Sequence, residues 1–194
     1  MRSIVLASSS PRRKALLKQL GLQFDVVNSG VDEKFNLRLK PKGQAEALSL
    51  QKAEAVASKY RGKEGVVIIG ADTIVEVDGE VLGKPRHEKE AVRMLNKLSG
   101  KTHCIITGFS IIDTDSRKVR TGSVETIVHF RKLSDREIKE YVKREKVADK
   151  AGAYAVQGIG AIFIEKIEGD YFNAVGLPLY ELARELRKFG VEVL

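Results

Sequence analysis

The chain has 194 residues, 43% of them hydrophobic, with 34 basic against 26 acidic side chains and a formal charge of +8. That is apolar material enough for a full core, read as a single domain over residues 1–194 built from two lobes that share one sheet. No stretch is apolar for the length of a membrane span. The start runs into a strand with no signal-peptide pattern, and Cys104 has no second cysteine to pair with. A cytoplasmic protein with anionic partners is the expectation.

Ser3-Ile4-Val5-Leu6 reads as a buried strand leading into a turn, Ala7-Ser8-Ser9-Ser10. Ser10 suits an N-cap and Pro11 a first helical residue, so a helix is predicted from Pro11 to the stop at Gly21. Its first turn carries Arg12, Arg13 and Lys14, where the helix dipole disfavours cations by about 0.3–1 kcal/mol each. Either these side chains reach into water from an ordinary capped helix, or something negative sits there. A phosphate is the natural candidate, since backbone N–H groups, serine hydroxyls and guanidiniums would converge on it.

Phe24–Val27 is read as the next strand, followed by a polar loop with Asp32 and Glu33. Gln44–Tyr60 is predicted helical, with Leu48, Val56 and Tyr60 along one face. Lys52 falls on that apolar stripe, either snorkelling to water or projecting into a cleft. Val66-Val67-Ile68-Ile69 is the most apolar run and reads as a central strand ending in Gly70-Ala71-Asp72-Thr73. Ile74–Val77 continues extended to a hairpin at Asp78-Gly79. Pairing of residue 77 with 80 would set Thr73 opposite Lys84, with a bulge expected at Gly70 or Gly83.

Glu88–Leu98 is a helix with Ala91, Met94, Leu95 and Leu98 inward, stopped by Ser99-Gly100. Thr102–Ile112 and Lys118–Phe130 form a long hairpin. Ser134 and Glu137 make a capping box for a helix through Arg144. Tyr154–Gln157 and Ala161–Ile167 are read as strands, and a last helix runs from Pro178 to near Gly190.

Several familiar motifs fail. Gly79–Lys84 is one residue short of a Walker loop, and Pro85 stands where a magnesium-binding hydroxyl belongs. Gly158-Ile159-Gly160 leads into a strand, so it is no dinucleotide fingerprint. His87, His103 and His129 lack metal-ligand spacing and read as structural or surface residues, and Cys104 as a small core residue. What remains suits a charged phosphate substrate. Asp72 is a carboxylate presented from a rigid strand, or else an aspartate capping turn N–H groups. Asp32, Glu33 and Asp149 are further loop carboxylates. Such groups with phosphate oxygens can bind a hard divalent ion, or one can activate water while Arg13, Lys52 and Lys84 offset transition-state charge.

Six blocks then resemble the Maf family: Ser8-Ser9-Ser10-Pro11-Arg12-Arg13, Gly70-Ala71-Asp72-Thr73, Gly83-Lys84-Pro85, Ser99-Gly100-Lys101-Thr102-His103, Asp149-Lys150-Ala151-Gly152-Ala153-Tyr154 and Gly176-Leu177-Pro178-Leu179. They occur in order from near residue 3 to near 186. The resemblance implies an α/β fold, a mixed twisted sheet flanked by helices around a deep central cleft, related to inosine triphosphate pyrophosphatases. It implies a nucleoside triphosphate pyrophosphatase that cuts between the α and β phosphates with a divalent metal, Mg2+ or Mn2+. By resemblance Asp72 is the proton acceptor; Ser8, Arg13, Lys52 and Lys84 bind substrate; Glu33 and Asp72 hold the metal.

Arg12, Thr73 and Gln157 are similar to the branch of the family acting on dTTP and UTP. The branch preferring 7-methyl-GTP has tryptophan, glutamine and glutamate there. Gln157 offers both a donor and an acceptor, as the edge of thymine or uracil requires. Ala155 and Val156 depart from the commoner glycine and isoleucine. The family also admits a homodimer.

Two other readings stay open: a basic nucleic-acid-binding or division-regulating protein, and a nucleotide sensor that does not turn over. With 6% aromatic residues and no stacking ladder, nucleic acid is the weaker partner.

Overall fold

Parallel pairing of the first strand with two others sets the frame of the molecule. In the computed structural model, which describes residues 2–33, 36 and 38–194, β1 (Ser3–Ala7) pairs with β2 (Asp25–Val26) on one side and β3 (Val66–Val77) on the other, both parallel. The β1–β3 register runs from Ser3 opposite Val66 to Ala7 opposite Gly70. The helices α1 (Pro11–Gln19) and α2 (Pro41–Ala57) make the two crossovers, α1 from β1 out to β2 and α2 in the opposite direction from β2 past β1 to β3. A reversal of this kind opens a crevice beyond the carboxyl ends of the strands. The turn at Ser8 and the carboxylate of Asp72 both lie at that end.

The sheet is mixed. Its hydrogen-bonded order is β2-β1-β3-β5-β6-β7, with β4 (Glu80–Leu82) paired to β3; β5 spans Thr102–Asp113, β6 Val119–Phe130 and β7 Ile164–Gly169. The β3–β4 and β6–β7 pairs are antiparallel. The helices α3 (Glu88–Leu98) and α4 (Asp135–Arg144) have the predicted bounds, and α4 opens with the Ser134–Glu137 capping box. The last helices are α5 (Tyr171–Val175) and α6 (Leu179–Arg187).

The chain divides into two units, Met1–Asp72 with Thr107–Val124 and Gly176–Leu194, and Thr73–Ile106 with Glu125–Val175. Strands β3, β5 and β6 each run from one unit into the other. In the first unit α2 lies on the sheet, where Ala53 and Val56 close over Val5, Ala7, Val66, Ile68 and Ile112. Full burial of a side chain the size of Val56 or Ile68 contributes about 1.5–3 kcal/mol. In the second unit Phe130, Tyr154, Phe163 and Tyr141 form an edge-to-face aromatic row.

The main departures from the sequence reading are five. First, α2 starts at Pro41 rather than Gln44, because proline is pre-set for the first helical position and the Lys40 carbonyl accepts the Gln44 N–H. Second, Val66–Ile69 and the extended stretch Ile74–Val77 are one strand: β3 runs unbroken through Gly70–Thr73, since Ile74, Val75 and Val77 are buried, and the turn pairs Val77 with Glu80 as expected. Third, pairing stops at Val75–Leu82, short of Thr73 and Lys84, and the next carbonyl, Gly83, accepts the Gly152 N–H instead.

Fourth, Tyr154–Gln157 is not a strand, and Gly158–Phe163 forms tight 3-10 turns before β7. Gly152, Ala153 and Gly158 take positive φ, and a Cβ on Gly160 would lie 3.0 Å from the Tyr141 hydroxyl and closer still to the Ala155 carbonyl. Fifth, α5 was not expected; the Asp170 carboxylate starts it by accepting the Phe172 N–H at 2.7 Å and the Asn173 N–H at 3.1 Å.

Candidate active site

Alternation along β3 decides which side chains share a face. Val66, Ile68 and Gly70 turn toward α2, so Asp72, two residues on, does too. Lys52 rises from α2 to meet it. The ammonium bonds the Asp72 carboxylate directly and also lies 2.7 Å from Glu33. Their side chains are 5% and 7% exposed for Asp72 and Lys52, against 28% for Glu33. Lys52 therefore does not snorkel: its charge is drawn inward by two carboxylates. Asp72 is equally no turn cap, since it stands in mid-strand with a cationic partner.

The helix entrance adds the second half of the cluster. Ser10 caps α1 by accepting the Arg13 N–H, and Pro11 follows as the first helical residue. The Ser8 hydroxyl accepts the Ser10 N–H at 3.2 Å, and Arg13 Nη1 donates to the same oxygen at 3.4 Å. Arg13 Nε donates to the Gly176 carbonyl at 2.8 Å. The guanidinium is thus braced from the turn before α6 rather than waving in water. Burial pushes the Arg13 guanidinium down from its ordinary value, with Asp72 and then Glu33 pulling it back up and Arg12 pushing it down. No acidic residue stands in the first turn of α1.

Ser8, Arg13, Glu33, Lys52 and Asp72 accordingly fall together in the first unit, with Arg12 half-buried beside Arg13. Lys84 and Gln157, both exposed, belong to the second unit, and half-buried Thr73 opens it directly after Asp72. Of the other carboxylates, Asp32 is exposed and Asp149 bonds its neighbour Lys150 at 3.0 Å.

The remaining candidates have structural duties. His87 caps α3, His129 bonds Thr102 and Glu168, and buried His103 bonds the Tyr154 hydroxyl at 2.5 Å. Burial lowers His103 to about 4. Cys104 is half-buried in β5. Two contributors escaped the sequence reading. Gln44, 3% exposed, accepts the Asn36 N–H at 2.7 Å and ties the loop after Glu33 to α2. The Gly176 carbonyl was visible only as part of a motif.

Glu33 and Asp72 meet at one cationic point with hard oxygen donors, the donor type that magnesium or manganese takes. Among the described residues no group of three or more His, Cys, Asp and Glu gathers as a ready metal cage. A divalent ion there would draw its further ligands from phosphate oxygens and water, which suits an ion that arrives with a polyphosphate.

The family profile described as Maf-like protein matches residues 3–189. The chain belongs to the Maf family. This Maf protein is 46% identical over its whole length to a protein of Caldicellulosiruptor saccharolyticus named dTTP/UTP pyrophosphatase, 98% of which is covered. It is 48% identical to one of Pelotomaculum thermopropionicum of the same name, with both chains covered in full. Among solved structures, the Ham1 protein of Staphylococcus aureus is similar at a TM-score of 0.48 and 17% identity, over 84% of this chain and 80% of that one. Among the described residues no helix is long and apolar enough to cross a membrane.

Proposed function

We propose that this Maf protein hydrolyses dTTP and UTP to the nucleoside monophosphate and diphosphate. The observation that carries the reading is the desolvated Lys52–Asp72 pair with Glu33, set beside the Ser8–Arg13 helix entrance. Buried charge held at the open end of parallel strands is expensive to maintain, and active sites are where proteins maintain it. Full-length identity of 46–48% to relatives named for this activity supports the substrate class.

In this reading Arg13, Ser8, Lys52 and Lys84 hold the triphosphate, with the α1 N–H groups adding fixed partial charge. Asp72 accepts a proton from water as the hydroxyl bonds to the α phosphorus. The bond from that phosphorus to the oxygen bridging toward the β phosphorus breaks, and diphosphate leaves. A divalent ion held by Glu33 and Asp72 would neutralise charge building on the phosphate oxygens. Arg12, Thr73 and Gln157 select the base, with Gln157 matching the donor and acceptor on the edge of thymine or uracil.

The test is diphosphate release from a panel of nucleoside triphosphates with Mg2+ or Mn2+, by the parent and by Asp72→Asn. Expected are dTTP and UTP as the preferred substrates, and a loss of roughly 10²–10⁴-fold in the variant, the range for removing a general base. Full turnover by Asp72→Asn would reject the assignment of the base. Binding without turnover by the parent would mark a nucleotide sensor.

A further inference from the structure

Two glycines on neighbouring strands meet α2 where side chains would ordinarily intervene. A Cβ on Gly70 of β3 would lie 2.9 Å from the Ala53 backbone nitrogen and nearer still to the Ser49 carbonyl. A Cβ on Gly108 of β5 would lie 2.6 Å from the Glu46 nitrogen and nearer to the Ala45 carbonyl. Ala45 and Ser49 are one helical turn apart, so two successive turns of α2 rest directly on bare backbone of β3 and β5. Glycine inside a strand weakens it and packs no side chain, and one of its uses is close backbone approach.

Beside this seat runs a row of hydroxyls, from buried Ser49 and Ser110 to half-buried Thr121. The Ser49 hydroxyl donates to the Glu46 carbonyl at 2.7 Å. Its contact with Ser110 of β5 at 2.8 Å must then be donated by Ser110, and the 3.0 Å contact of Ser110 with Thr121 must be donated by Thr121. Every proton in the row has one place to go. A directed row of this kind resists rotation of the helix as well as lifting. Ser49 and Ser110 are both fully buried.

The seat is linked to the reacting pair by short, stiff connections. Lys52 is three residues beyond Ser49 on α2, and Asp72 two residues beyond Gly70 on the same face of β3. We propose that Gly108 and Ser110 are positioning residues: by fixing the depth and rotation of α2, they hold the Lys52 ammonium between Asp72 and Glu33. The inference rests on the reading of Lys52 and Asp72 as the reacting pair.

The experiment uses the full chain as Gly108→Ala and Ser110→Ala. Acetylation by a water-soluble reagent is followed lysine by lysine by mass spectrometry, with diphosphate release from UTP measured in parallel. Lys52 should acetylate about ten-fold faster in Gly108→Ala and several-fold faster in Ser110→Ala, with kcat falling in the same order, because displacement of about 1 Å costs up to ~10²-fold in rate. Lys150, buried in the second unit, is the control and should not change.

A rise at Lys52 and Lys150 together is general loosening and overturns the inference, as does an unchanged Lys52. If Gly108→Ala does not fold, Ser110→Ala decides alone. Turnover that survives Lys52→Ala overturns the functional reading instead, whereas the labelling still shows whether β5 sets the place of Lys52.

Discussion

Two carboxylates of the first unit are buried almost equally and held in opposite ways. Glu185 of α6 is 1% exposed and takes Lys188 at 2.9 Å, Arg120 at 3.1 Å and Arg184 at 3.4 Å. Those cations are about half exposed, at 55%, 51% and 52%. They keep much of their water, so the cluster pins α6 to β6 with little desolvation of positive charge. Asp72 instead faces Lys52, which is 7% exposed. Both ions of that pair have left water, which makes it a poor stabiliser relative to an apolar pair of the same volume. What sets Asp72 apart from Glu185 is thus the burial of its cation, not the burial of its carboxylate.

Breaking the second arrangement should have the largest effect. Lys52→Ala leaves the Asp72 charge enclosed without its partner, and loss of about 3–5 kcal/mol of stability is expected. Turnover should fall about 10²-fold as well, the scale for removing one group aimed at developing charge. Urea unfolding and diphosphate release measure the two. A loss of stability with full turnover would make the pair a fold element only.

His103 shows a third way to bury an ionisable group, which is to give up its charge. Burial among Phe130 and Tyr154 lowers it to about 4 from an ordinary 6.5. The unfolded chain therefore binds a proton that the folded chain refuses between these values. Stability from this group is complete above pH 6.5 and declines as pH falls toward 4, by roughly 3 kcal/mol in all. Urea midpoints over that range should show the slope in the parent and lose that share of it in His103→Phe.

The same contrast explains what could be read in the sequence. The helices α3 and α4 were legible to the residue because each carries its own periodicity and stop or start signals, such as Ser99-Gly100 and the Ser134–Glu137 box. The cations of α1 were legible as a local conflict with the helix dipole, and Lys52 as a charge on an apolar stripe. Their partners were not. That Lys52 meets Asp72, 20 residues away, depends on how deeply α2 sits, and that depth is set by Gly70 and Gly108, which taken singly read as a bulge or as nothing. The region 152–163 failed for a related reason: β-branched and aromatic residues suggested strands, but the contacts that bend it, such as Gly83 with Gly152, are distant in sequence.

The smallest effect belongs to Glu185, and it tests whether exposed cations carry little energy. Hydrogen bonding from Lys188 is the main influence holding its carboxyl below the ordinary range, against burial, with Arg120 assisting. That stability is present above the unfolded value and lost as pH falls through the folded one. Glu185→Gln keeps the shape and removes the charge, and loss of about 1 kcal/mol is expected, discounted for cations that remain in water. Because those cations are solvated, 1 M salt should shrink the difference between parent and variant, whereas the penalty for Lys52→Ala should persist. Turnover of dTTP should stay within about two-fold of the parent, since Glu185 pins a helix end through Arg120, Arg184 and Lys188. If Glu185→Gln instead proved as damaging and as salt-insensitive as Lys52→Ala, the exposure of the cation would not be what separates a structural ion cluster from a reactive one.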